Sequence, residues 1–207
     1  DIYGTLSAGA KATLIAMRDI PQLTLDSNSD LCVIAEGYAV INGVSSSGKV
    51  CLAANGDLKA TNVAGREISI GSMAKLQISD TSAAVKLTLW SGKSIMGVAS
   101  SDGQLNILGD GNVYGSFDAD LSAVVRIAGN FTGHIETPGS LDMSVYGNLN
   151  AINFQAGSIN FIRVKGDLAG DITAQTRFGA QTYPYYALYV GGDLDANISS
   201  GGWIGEI

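Results

Sequence analysis

One short pattern recurs along this chain: apolar, any residue, apolar, any residue, glycine, Asn or Asp, apolar. It reads ILGDGNV at 107–113, VRIAGNF at 125–131, MSVYGNL at 143–149, IRVKGDL at 162–168 and LYVGGDL at 188–194. The glycines before Asn or Asp are Gly111, Gly129, Gly147, Gly166 and Gly192, spaced 18, 18, 19 and 26 residues apart; the last interval carries an insertion near 176–184. Upstream, Gly37 and Gly56 are 19 apart, Arg18 stands another 19 before, Gly4 opens the series, and Ser72 and Ser91 mark two blurred units between. About eleven units of roughly 18–20 residues then span 1–207 as a single domain.

A unit of that length cannot build a sheet of its own. Apolar residues fall four and two before the glycine (Ile162 and Val164, Leu188 and Val190) and two after it (Leu168, Leu194). A two-residue period marks strands buried on one face. Stacking such rungs about 4.8 Å apart pairs each backbone with the next and buries one continuous core. The predicted fold is therefore all-β: a parallel β-helix, or β-solenoid, of about eleven rungs. Irregular spacing and the inserted loop favour a right-handed coil. The residues after the glycine, Asn112, Asn130, Asn148, Asp167 and Asp193, are turn formers expected to stack as a ladder along one edge.

Composition agrees. Twenty-seven glycines, three prolines and 15% charged residues do not suit helices, whose exposed faces need Lys, Glu and Arg. A net charge of -7 without a basic stripe argues against nucleic acid as a partner. Glycine, Asp, Asn or Ser interrupts every apolar run, so no membrane span is expected. Asp1 stands first with no basic and apolar leader before it, which fits a mature secreted chain or a fragment.

The GNL and GDL rungs, joined by GSL at 139–141 and GSI at 157–159, resemble the glycine-rich β-strand repeats of large secreted bacterial surface proteins. The resemblance covers about residues 100–207 well and 1–99 loosely. It implies a parallel β-helix at a cell surface or in an extracellular matrix, without a common catalytic activity.

Few residues invite chemistry. Cys32 and Cys51 are 19 apart, each five before its anchor, so they belong on neighbouring rungs, where a disulfide is expected in an oxidising compartment. His134 alternates with Thr132 and should point outward, as a surface residue. The five arginines occupy different rung positions, and the clustered carboxylates that a polysaccharide-cleaving site needs are not evident; Asp118 and Asp120 read as a solvated turn. No enzyme activity, cofactor or metal is assigned. Sequons at Asn130 and Asn197 make surface glycans candidate partners, and TYPYYALYV at 182–190 reads as a sugar platform or an edge cover.

The ends carry the functional expectation. From Gly192 to Ile207 is 15 residues, and four more reach Gly4 of a second copy, which completes one 19-residue period. Across that junction Ile204, Ile207 and Ile2 repeat the spacing of Ile159, Ile162 and Val164. The expectation is an extracellular structural filament, a head-to-tail homopolymer whose subunits share one split rung through Ile2, Tyr3, Gly4, Leu6, Trp203, Ile204 and Ile207. Its axial repeat would be about 50–55 Å. The alternatives are a fragment of an adhesin stalk and, behind it, a carbohydrate-binding or polysaccharide-degrading β-helix.

Overall fold

The computed structural model describes residues 2–179 and 187–205. Strands β1 (Tyr3–Ala8), β2 (Ala12–Ala16), β3 (Ile20–Ser27), β4 (Leu31–Ala35), β5 (Ala39–Ser46) and β6 (Lys49–Ala54) come first. They lead into β7 (Leu58–Ser72), β8 (Lys75–Ser91), β9 (Ser94–Ser101), β10 (Gln104–Gly109), β11 (Asn112–Ala119) and β12 (Ser122–Ile127). The chain finishes with β13 (Phe131–Val145), β14 (Leu149–Val164), β15 (Leu168–Phe178), β16 (Leu188–Val190), β17 (Leu194–Ser200) and β18 (Trp203–Ile204). Every pairing is parallel and joins residues about one period apart, as in Leu31↔Val50 and Phe131↔Leu149. The result is the expected β-solenoid, of about nine turns. Of the eleven units marked by the periodicity, the first (β1, β2) and the last (β17, β18), together with β16, are paired on one side only among the described residues.

Alternation along each strand sends one set of side chains into a single core. In β4 the order is buried Leu31, half-buried Cys32, buried Val33, exposed Ile34 and buried Ala35. The inward residues line up in columns running the length of the stack: Leu31, Val50, Ile68, Leu87, Leu105, Ala123, Leu141, Ile159 and Phe178 form one, all buried. Phe117, Phe131 and Phe154 stack in the middle, with ring centroids 6.3 and 5.5 Å apart. Such tilted and edge-on contacts suit aromatic quadrupoles.

The longer strand of each coil bends at its centre. In β5 the inward residues are Ala39, Ile41 and Val44, so the alternation skips a residue at Gly43, where φ is +92°. Asn62 and Asp80 take that place in the next two coils with φ of 52° and 51°, and Asn153 does so later with 57°. Gly, Asn and Asp are the residues that tolerate left-handed backbone, so the bend column is written in them.

The insertion interrupts the shorter strand of one coil. Ser158 and Ile159 pair with Arg177 and Phe178, and Ile162–Val164 then resume with Leu188–Val190. Residues 180–186 lie outside the described part, and with them most of TYPYYALYV and the expected insertion near 176–184. Leu188 returns buried, while exposed Tyr189 lies 5.7 Å from the Arg163 guanidinium.

Coil-on-coil contact explains the glycines. A Cβ on Gly111 would run into the carbonyl oxygen of Lys93 in the coil below, and one on Gly9 would meet nothing within 4 Å. Gly111→Ala is therefore expected to destabilise the fold by about 2–3 kcal/mol, with Gly9→Ala within about 0.5 kcal/mol of wild type. Chemical denaturation of the two variants checks this, and equal losses would contradict it.

Candidate functional site

The glycine and the residue after it form one structural unit. The Oδ1 of Asn112 accepts the backbone N–H of Asn130, Asn130 that of Asn148, Asn148 that of Asp167, and Asp167 that of Asp193, at 2.7–3.0 Å. Asp19, Asp30 and Asp57 do the same for Tyr38, Lys49 and Lys75. A Cβ on Gly147 or Gly166 would collide with this oxygen, so the missing side chain makes room for the bond. The expected turn ladder is present, but each side chain feeds a backbone amide rather than the next side chain. Where Ala74 and Lys93 replace glycine, a buried serine hydroxyl accepts their turn N–H: Ser72 from Ala74, and Ser91 from Lys93. Both sequons are engaged: Asn130 belongs to the ladder, and Asn197 donates to Asp171 at 2.9 Å.

Cys32 and Cys51 are direct register partners on β4 and β6, as expected, but they stand as free thiols and not as a disulfide. In a parallel, in-register pair the Cβ atoms follow their Cα atoms at about 4.8 Å. That is beyond the roughly 3.5–4.5 Å a disulfide accepts. Burial pushes the Cys51 thiol up to about 11, with the hydrogen bond to Cys32 and the neighbouring charge adding to the effect.

A cluster that the sequence reading did not assemble lies on the outer surface of β11 and β13. Asp118 and Glu136 are register partners on adjacent coils, and His134 sits two residues before Glu136 on the same face. The His134 Nε2 is 3.9 Å from the Asp118 Oδ1 and 3.6 Å from the Glu136 Oε2, and its Nδ1 lies 3.1 Å from the carbonyl oxygen of Ile152. His134 points outward as expected, and it is half-buried and held in place by these contacts. Burial raises Asp118 above the ordinary carboxylate range; His134 pulls it back and Glu136 pushes it further up. Asp120 lines the same recess, so the pair read as a solvated turn forms one wall of it. The missing signal was the period itself, because 118 and 136 differ by one 18-residue step.

The two ends of the stack expose core columns. Leu194 is 50% exposed, while Leu168, Leu149 and Phe131 in its column are buried. Ile204 is 41% exposed above fully buried Phe178. At the opposite end Ile2 and Leu6 are half-buried against the core and Tyr3 is exposed. Trp203 aligns with Arg177 in an outward column, so it borders the end face rather than belonging to the core. Ile207 lies outside the described residues.

The register corrects the expected split rung. Gly4 aligns with Leu23 in the middle of a strand, with φ +123°, and Leu6 aligns with Leu25; the turn anchor Arg18 has no partner in β1. Ile2 donates its N–H to the Asp19 carbonyl, at the start of the long strand, not at the end of the short one. Gly4 is therefore a bend glycine and not an anchor, and β1 starts a layer of its own.

No family description, curated protein or solved structure matches this chain.

Two outcomes follow from the side-chain geometry. The native state holds the Asp118 proton more tightly than the unfolded chain does, so this group favours folding on the acid side and opposes it as pH rises through the carboxylate range. Asp118→Asn, which also relieves a like-charge register pair, should stabilise the protein at pH 7 by up to about 1 kcal/mol. Thermal unfolding at pH 7 checks this, and a lowered midpoint would contradict it. Iodoacetamide at pH 8 should modify Cys51 about a hundredfold more slowly than an ordinary cysteine, as its scarce thiolate requires. Peptide mass spectrometry reads the rate, and ordinary reactivity would refute the assignment.

Proposed function

We propose that this protein is the subunit of an extracellular structural filament, assembled by stacking the β17 and β18 end of one copy on the β1 and β2 end of the next. The observation that carries this is the pair of end faces. Each continues the interior columns in register, and among the described residues each leaves apolar core residues and one strand edge uncovered. An open parallel edge over an exposed core is a template for another strand. With the spacing used inside the stack, Leu194 of one copy would face Ile2 of the next, Ile198 would face Leu6, and Ile204 would face Ala12.

A heterologous contact between opposite ends does not close on itself, so it yields fibres instead of rings. The low charge and the turn-rich, repetitive surface support an extracellular, structural reading over an enzymatic one. The mode of joining is a coil laid on a coil, in place of a coil shared by two chains.

A chain that runs on into further coils would cover the same faces within one molecule, as in an adhesin stalk. Negative-stain microscopy and light scattering separate the two. The chain 1–207 should form filaments with an axial repeat of about 50 Å. Leu194→Asp, which places a charge on the end face, should keep the β-sheet circular dichroism of the wild type and remain monomeric. A wild-type chain that stays monomeric at high concentration, or a Leu194→Asp variant that still polymerises, would refute the proposal.

A further inference from the structure

One column of surface charges alternates in sign from coil to coil. Asp30, Lys49, Glu67 and Lys86 follow one another in a single outward column, and Lys49 meets Glu67 at 2.9 Å. Asp118 and Glu136 break that order. They are two carboxylates stacked on successive coils, followed by neutral Gln155. Among the described residues neither forms an ion pair with a lysine or an arginine; His134 is the group between them.

The distances from the His134 Nε2 to its two carboxylate neighbours are not those of hydrogen bonds. Its Nε2 is 3.6 and 3.9 Å from the two carboxylate oxygens, outside the range of an N–H···O bond. The Nδ1 is within hydrogen-bond distance of the Ile152 carbonyl, a partner that can only accept, so Nδ1 carries the proton. In the neutral ring the Nε2 lone pair then points toward the carboxylates. A histidine oriented through its far nitrogen, with a free Nε2 beside anionic oxygens, is the arrangement of a metal ligand. Ligand atoms about 2.0–2.1 Å from a tetrahedral zinc ion stand about 3.4 Å from one another. The three atoms here lie within 4.8 Å of one another, so closure by a few tenths of an ångström to about 1.4 Å completes the set.

We infer that Asp118, His134 and Glu136 form a divalent transition-metal site, with zinc as the ion that best suits one imidazole and two carboxylates. Three protein ligands leave a fourth position open. Asp118 and Glu136 border a recess of about 380 Å³ that is also lined by Gln155 and Gln175 and by no basic residue among the described ones. An open position there would be filled by water or by an oxygen ligand from a neighbouring molecule. The ion would also relieve the carboxylate repulsion and clamp two successive coils at the middle of the stack.

The test uses the whole chain without a polyhistidine tag, titrated with zinc chloride by calorimetry and with cobalt(II) by absorption spectroscopy. One zinc per chain is expected, and cobalt should give the intense visible bands of a four-coordinate ion. His134→Ala should weaken zinc binding by more than the tenfold that losing even an outer-shell partner costs. Asp118→Asn should do likewise while raising the thermal midpoint in EDTA, which shows that the variant folds. Zinc binding that is absent, or unchanged in both variants, would overturn the site. So would stronger binding of calcium than of zinc, because calcium prefers an all-oxygen shell and has no use for the imidazole.

Discussion

Everything in this molecule depends on the parallel backbone ladder between one coil and the next. Each strand finds its hydrogen-bond partners in the coils above and below it, so a single coil has no stability of its own. That requirement fixes the rest. Consecutive coils must keep the same cross-section, which places like residues over like and produces continuous interior columns such as Leu31 to Phe178. It also forces the chain to turn corners where the next coil lies about 4.8 Å away, too close for most side chains at those points.

The corner is where the chemistry of the repeat becomes visible. The Asn or Asp oxygen of one coil takes the backbone N–H of the next, and the glycine beside that N–H leaves the space the oxygen needs. The two letters of the motif are the two halves of one contact between neighbouring coils. Serine at 72 and 91 solves the same problem from inside the core, with a hydroxyl that accepts the turn N–H and donates to the coil below, to Gly56 and Ala74. This explains why the repeat blurs between Gly56 and Gly111 without any break in the fold.

Much of the architecture was legible from residue types, because period, alternation and turn chemistry all report on a one-dimensional stack. What was not legible depended on register. Gly4 looked like an anchor because glycine serves both the corner and the mid-strand bend, and only the pairing with Leu23 tells them apart. The cysteines looked bridged because the Cα spacing allows it, whereas the parallel Cβ vectors oppose it. Asp118 and Glu136 looked unrelated because they are read 18 residues apart, yet the coil lays them side by side. Folding the sequence on its own period before searching for clusters would have found that pair, and His134 with it.

The central claim is that the ladder inside the subunit continues between subunits. Cryo-electron microscopy of assembled protein tests it most directly. The account predicts strands spaced evenly at about 4.8 Å through the subunit boundary, with Leu194 stacked over Ile2 of the next copy and the interior columns unbroken. A gap or a rotation between the end faces, or filaments held by lateral contacts with both ends open to solvent, would contradict it.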